Sequence, residues 1–339
     1  MNGGGLRIVL GAPAAPPLGH GGAVWAIRQY ELGLAGLGHE VLRIDGGGPV
    51  EDDALRFAAA ADVLLNISGA VSEGALLDRV DRRVFVDLDP AFTQLWHTQG
   101  IDMGFEEHTH FATVGVRVGR GSDVPTCGRD WITTLPPVVL DEWPVARDVE
   151  RDAFTTVGNW RSYGSIHHEG TFLGQKAHTL RTLLGLPART GERFLLAFGI
   201  HADERADLDA LARHGWELAD PHDVVATPGA YAGFVRGSLA EIGIVKHGYV
   251  ASGSGWFSDR SACYLASGRP VVTHDTGFGE VVPTGEGLLA FTDEDGAVEA
   301  VTEVRENYER HAKAARALAE SHFDSDAVLS HLLEAVMSC

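Results

Sequence analysis

Residues Gly253–Glu280 read GSGWFSDRSACYLASGRPVVTHDTGFGE, and their pattern decides the fold of the second half of the chain. A tight glycine loop leads to a helix start at Ser258, with Ala262, Leu265 and Ala266 on its inward face and Gly268 as its stop. Pro270 to Thr273 then reads as a buried strand, and Asp275 to Gly277 as a polar loop. The first turn of a helix carries unpaired N–H groups and a partial positive charge, so a Ser-Asp-Arg-Ser opening after Gly-Ser-Gly can wrap an anion such as phosphate. Ser258 is the expected N-cap, and Arg260 and Ser261 add a charge-assisted donor and a hydroxyl. A plainer reading leaves Ser258 as the cap of a core helix and Arg260 in water.

Upstream of this stretch the same alternation continues. Phe154 to Val157 reads as a strand, GNWRSYGSIHHEG as a loop, Phe172 to Leu184 as a helix and Arg193 to Phe198 as a strand. Leu208 to Ala212 and Val224 to Leu239 are helical, and Ile242 to Lys246 is a strand. Downstream, Asp295 to Ser321 and Ser325 to Met337 are amphipathic terminal helices. A polar segment, Asp141 to Asp152, separates this half from an earlier one with the same rhythm.

In that earlier half, Leu6 to Leu10, Glu40 to Ile44, Asp62 to Ile67 and Arg83 to Asp87 are apolar runs, with helical spacing over residues 22–37 and 72–80; FATVGV, from Phe111, reads as a further strand. Short buried strands alternating with helices predict doubly wound parallel sheets. The loop GAPAAPPLGHGG lacks the Gly-x-Gly-x-x-Gly turn of dinucleotide folds, which removes the main support for a nicotinamide or flavin enzyme. Asp87 and Asp89 stand at the carboxyl end of a strand, where such sheets place ligands.

The 339 residues suffice for two domains, expected at 1–145 and 152–320, with 321–339 as a helix crossing back to the first. A formal charge of −20 argues against nucleic acid or an anionic membrane as partner. No window is apolar enough to span a membrane and no basic leader opens the chain, which predicts a cytoplasmic protein. The three cysteines, Cys127, Cys263 and Cys339, are too scattered for a disulfide framework or a zinc site. Of only three lysines, Lys176 and Lys246 lie near glycine loops of the second half.

Three places in the chain resemble the GT-B class of nucleotide-sugar glycosyltransferases, in particular its families 4 and 1. PPLGHGGAVWAIRQYELGLAGLGHEV is similar to the first loop and helix of that class, FTTVGNWRSYG with Lys176 downstream to the start of its donor domain, and GWFSDRSACYLASGRPVVTHDTG to its donor-phosphate helix and following strand. The resemblance implies a GT-B fold, two Rossmann-like domains facing a central cleft. It also implies an enzyme, hexosyltransferase-like, that moves a sugar from a nucleotide diphosphate donor to a small-molecule acceptor with no cofactor. Many retaining members carry two glutamates flanking the phosphate helix. Gly255 and Cys263 stand at those positions, and the plant-type His-Cys-Gly-Trp-Asn-Ser signature is absent, so the branch stays open.

On this resemblance Lys176, Ser258, Arg260 and Ser261 hold the diphosphate without a metal, Asp259 belongs to the same donor-binding set, and Asp87-Leu-Asp89 is not read as a metal pair. Asp275, Thr276 and Gly277 either meet sugar hydroxyls or form an ordinary turn. Trp160, with Arg161 beside it, and Tyr163 either stack on the base or pack on their own domain. Glu241 either binds a ribose or pairs with Lys246, and Lys246 either reaches the donor or is a surface lysine. His20 is the candidate base for the acceptor hydroxyl, oriented by Asp87 or Asp89. Two other readings fit the same scaffold: a nucleotide-sugar epimerase or hydrolase, and a non-catalytic two-domain protein that closes on a small ligand.

Overall fold

The computed structural model describes residues 5–14 and 20–338. Residues 16–19, which open the first of the three quoted motifs, lie outside the described residues. The first sheet contains β1 (Arg7–Ala12), β2 (Glu40–Asp45), β3 (Val63–Ile67), β4 (Arg83–Asp87), β5 (His110–Thr113) and β6 (Trp131–Thr133), all parallel in the order β2-β1-β3-β4-β5-β6. Next come β7 (Arg151–Asn159) and a small antiparallel hairpin of β8 (Ile166–His168) and β9 (Thr171–Leu173). Strands β10 (Phe194–Gly199), β11 (Glu217–Ala219), β12 (Ser238–Gly243), β13 (Val271–His274) and β14 (Leu288–Phe291) join β7 in a second parallel sheet, ordered β11-β10-β7-β12-β13-β14.

Both faces of each sheet are covered, which is why the strands read as unbroken apolar runs. In β1, Ile8 and Leu10 face the helix Gly21–Gly36 while Val9 faces Leu64, Leu76 and Val80 on the other side. The terminal helix Ser325–Met337 returns to the first sheet and inserts Leu329, Leu332 and Val336, all fully buried, into the same core as Ile8. Each such side chain contributes about 1.5–3 kcal/mol relative to exposure. The return is fixed by backbone pairing: Val138 N–H donates to Phe323 O at 2.7 Å, and Ser325 N–H to Val138 O at 2.9 Å. No helix among the described residues is long and apolar enough to cross a membrane.

Several elements differ from the sequence-based expectation, among them the helix expected over Val224–Leu239, which is Pro228–Gly237 with Ser238 and Leu239 in the following strand, and two of the differences described next position the site. The expected helix from Phe172 begins instead at Lys176, because Thr171–Leu173 pairs with Ile166–His168 around a turn in which Glu169 and Gly170 both take positive φ. The expected strand Ile242–Lys246 lies earlier, at Ser238–Gly243, so Lys246 stands beyond the carboxyl end of the sheet. The polar residues SLAE are admitted to a buried strand because the Thr155 hydroxyl donates to Ser238 Oγ at 2.7 Å and Glu241 pairs with Arg260. The helix expected over Asp295–Ser321 is divided at Asn307 into Glu294–Glu306 and Tyr308–Leu318.

The sheets meet along several contacts. Gly115 bridges Trp256, and Arg117 N–H donates to Ser254 O at 3.1 Å. This approach explains the glycine at 255. Its φ is +73°, and a Cβ there would lie 2.7 Å from Val116 Cγ2 and 3.0 Å from Arg117 N. No side chain, carboxylate or otherwise, fits without displacing the segment 115–117. Gly255→Ala is expected to destabilise the protein by about 2–4 kcal/mol, combining left-handed backbone strain with overpacking. Urea unfolding checks this, and an unchanged midpoint would show that the two segments are not in close contact in solution.

Candidate functional site

In an open parallel sheet, ligands bind outside the carboxyl ends of strands where the strand order reverses. In the second sheet that point lies between β7 and β12, whose neighbours run on to β10 and to β13 respectively. A cavity of about 380 Å³ opens there. Its floor is Gly158 and Asn159 at the end of β7, its roof is Gly22, Ala23 and Ala26 of the first helix, and its far wall is Ser258, Asp259 and Arg260. The roof is pinned to the second half by the Trp25 indole, which donates to Pro228 O at 2.8 Å, and by Gly21 N–H, which donates to Val225 O at 3.1 Å.

Of the residues singled out in the sequence, His20, Lys176, Lys246, Ser258, Asp259 and Arg260 line this cavity. Lys176 is the first residue of the short helix Lys176–Leu180 and is largely buried; among the described residues its Nζ has no hydrogen-bond partner. Burial, and then the charges of Arg260 and Lys246, push its pKa well below the ordinary 10.5. Arg260 is 7% exposed. Its Nε donates to Glu241 Oε1 at 2.5 Å and its Nη1 to Val157 O at 2.8 Å, while Nη2 is buried with no partner. Burial is the largest single influence and opposes its charge, but Glu241, Tyr231 and Asp259 together outweigh it and keep the guanidinium protonated.

Ser258 precedes the helix Asp259–Ala266 as its N-cap residue, yet its hydroxyl makes no capping bond. Burial raises the Asp259 carboxyl, so this acidic residue opposes the cations less than a solvated aspartate would. Lys176, whose Nζ lies 5.8 Å from the ring centre of Phe198 and has no carboxylate hydrogen-bonded to it among the described residues, thus stands near a charged arginine. Such a cavity is built for an anion.

The other predicted residues go elsewhere. Asp87 is 1% exposed, and its two oxygens accept from Asp89 N, the Thr93 hydroxyl, Gln94 Nε2 and the Thr113 hydroxyl, all between 2.7 and 2.9 Å. It shapes the turn after β4, and its hydrogen bonds leave none for His20. Asp89 is gripped by the second half: Lys246 Nζ lies 2.8 Å from Oδ2 and 3.1 Å from Oδ1, and the hydroxyls of Tyr163 and Tyr249 donate to the same carboxylate. Neither aspartate's described hydrogen bonds reach His20, which is exposed at the cavity rim. Glu241 pairs with Arg260 and not with Lys246.

Trp160 is 2% exposed and donates to Asp207 Oδ2 at 2.9 Å, so it is a core residue and no stacking platform. Arg161 pairs with Glu204 away from the cavity. Ser261 is buried in its helix. Asp275 accepts from Gly277 N at 2.7 Å and the Thr276 hydroxyl donates to Trp256 O at 2.6 Å, which makes Asp275 to Gly277 the turn that braces the glycine loop.

Asn159, Ser162, Tyr249 and Trp256 also line the cavity and were not singled out in the sequence. Asn159 had a readable signal, since it ends a strand at the point where strand order reverses; Tyr249 and Trp256 had none, because their stacking at 4.2 Å depends on the tertiary fold. A second cavity of about 520 Å³ adjoins the first through His20, Asn159 and Pro221 and runs along the carboxyl ends of β10 and β11, past Phe198, Ile200 and Leu218.

No family model matches the chain, and no curated protein matches it in sequence. Solved structures do share its architecture. AviGT4, a glycosyltransferase involved in avilamycin A biosynthesis, superposes with a TM-score of 0.63 at 16% identity, covering 98% of this chain and 97% of that one. HepE of Anabaena, solved with UDP-glucose, gives 0.64 at 12% identity over 98% and 100% of the two chains. Sucrose-phosphate synthase of Thermosynechococcus elongatus gives 0.60 at 12% identity over 98% and 99%. The likeness at these identities is one of fold: the chain has the GT-B glycosyltransferase fold, as the quoted motifs imply.

The two cations predict opposite effects on stability. Arg260→Ala strands the buried Glu241 carboxylate and is expected to cost about 3–5 kcal/mol in urea unfolding. Lys176→Met is expected to stabilise the protein at neutral pH, on the order of 1 kcal/mol, because folding weakens the lysine's hold on its proton. Here the unfolded chain binds more protons than the folded one, so wild-type stability rises with pH until the ordinary 10.5 is reached. The methionine variant should lack that rise. Equal pH profiles for the two proteins would show that Lys176 is solvated.

Proposed function

We propose that this protein is a metal-independent glycosyltransferase that moves a sugar from a nucleotide diphosphate donor to a small-molecule acceptor. The observation that carries the reading is the pairing of Lys176, which has no carboxylate hydrogen-bonded to it among the described residues, with the charged Arg260 in one cavity at the reversal of strand order. HepE, solved with UDP-glucose on the same fold, supports a uridine nucleotide as the first donor to test.

In this reading the diphosphate lies against Lys176 and Arg260, and the nucleoside runs into the adjoining cavity along β10 and β11. As the bond from the anomeric carbon to the diphosphate oxygen breaks, negative charge grows on the leaving group. Preorganised cations in a site shielded from water stabilise that charge more than they stabilise the bound donor. The same cations meet the charge that a divalent metal would otherwise carry. The acceptor hydroxyl attacks the sugar and gives up its proton to His20, which lines both cavities and whose exposed position lets an acceptor approach.

Thermal-shift and calorimetric titration with nucleoside diphosphates and their sugars tests the reading, since a ligand of the folded state raises its melting temperature. A uridine diphosphate sugar is expected to bind wild type, and Lys176→Met to bind it at least about ten-fold more weakly through loss of a charge-assisted contact. His20→Ala should bind donor normally and turn over about 100-fold more slowly. Turnover should persist in a chelator. Absence of any nucleotide shift would overturn the function, and activity lost to chelator but restored by magnesium or manganese would overturn the metal-independent part.

A further inference from the structure

Asp89 is reached by three donors, each distant in sequence and each from the other half of the molecule: Lys246, Tyr163 and Tyr249. The Lys246 side chain is 10% exposed and that of Asp89 25%. The ammonium lies 4.1 Å from the ring centre of Tyr163 and 5.3 Å from those of Phe92 and Tyr249, so aromatic faces surround it where water otherwise would. Phe92 belongs to the first half. It approaches so closely that a Cβ at Gly248 would lie 2.4 Å from its ring, which makes glycine a requirement of the contact. Trp256 stacks on Tyr249 and donates to Leu88 O at 3.3 Å, closing the collar from the far side. Asp87 completes the arrangement by accepting from Asp89 N–H at 2.9 Å, which fixes the direction in which Asp89 points.

We infer that Asp89 is a positioning residue, the carboxylate through which the first sheet clasps Lys246, Tyr163 and Tyr249 and thereby completes the cationic wall of the cavity only when the two halves are shut. A desolvated ammonium needs a counter-ion, and among the described residues Asp89 is the carboxylate that hydrogen-bonds to Lys246. If the halves part, Asp89 withdraws, both charges return to water, and Lys246 is no longer held beside Lys176 and Arg260. Burial and then the Asp89 charge keep both phenols protonated, so they remain donors and the carboxylate remains the acceptor of the whole cluster. In place of orienting His20, Asp89 thus orders the donors that reach it from the other half. The proposal rests on the donor-site reading only where turnover is measured; the closure itself does not depend on it.

The test uses the full chain and small-angle scattering without ligand, together with UDP calorimetry and steady-state turnover. Asp89→Asn keeps the shape of the side chain and removes its charge. Its scattering profile is expected to show a wider cleft and its kcat to fall about 100-fold, since misplacing a binding group by roughly an ångström has that effect. Tyr249→Phe, which removes one donor and no charge, should shift both readouts in the same direction and by less. The exchanged pair, Asp89→Lys with Lys246→Asp, should restore the closed profile but not UDP affinity, because a carboxylate then faces the cavity. An Asp89→Asn protein that is folded by circular dichroism, with wild-type scattering and wild-type kcat, would overturn the proposal. If wild type binds no nucleotide, the functional reading fails while the scattering comparison still decides the clasp.

Discussion

The pair formed by Glu241 and Arg260 sets the geometry on which the rest of the cleft depends. Glu241 is fully buried in a central strand, and a carboxylate in that position needs a bound cation. Arg260 supplies it from the first turn of the helix Asp259–Ala266 and at the same time donates to Val157 O on β7. One side chain therefore ties a helix start to both strands that flank the reversal of strand order. The helix cannot drift from the crevice without breaking a buried ion pair. Its Nη2 and the Glu241 Oε2 are both buried without a hydrogen-bond partner, so the pair that secures the fold is not fully satisfied.

Charges around the cleft are divided by task. Arg260 and Lys246 each have a carboxylate partner, one within its own half and one across the interface. Lys176 has none among the described residues. A buried cation without a partner lowers stability, which a fold retains where function requires it. The excess of positive charge in the cavity is thus local and small, in a protein whose formal charge is −20. Overall acidity discourages large polyanions, while one desolvated ammonium still selects a small one.

Much of the architecture was legible because it rests on local signals. Buried strands announce themselves as apolar runs, and the helix after Ser258 is bounded by a polar opening and by Gly268 at positive φ. The GT-B resemblance followed from motifs that combine such signals. Long-range satisfaction of polar groups was not legible. Asp87 reads as a strand-end carboxylate facing a ligand, and nothing local reveals that Thr93, Gln94 and Thr113 converge on it. Trp160 reads as a loop aromatic until Asp207, far along the chain, is seen to hold its indole nitrogen. Ser238 and Glu241 look too polar for a strand, and that misplacement moved Lys246 from the crevice into the sheet. Missing carboxylates at Gly255 and Cys263 were visible in the sequence, but the reason at Gly255, the approach of Val116 and Arg117, was not.

The backbone pairing of Val138 with the segment around Asp324 has a mechanical consequence. The chain passes between the halves twice, once on leaving the first sheet and once on returning to it, and the two passages lie side by side, joined by hydrogen bonds. Two parallel tethers fastened together behave as one flat strap. Such a strap would bend more readily across its width than it would twist, so any swing of the halves about it would bring Asp89 back to the same three donors.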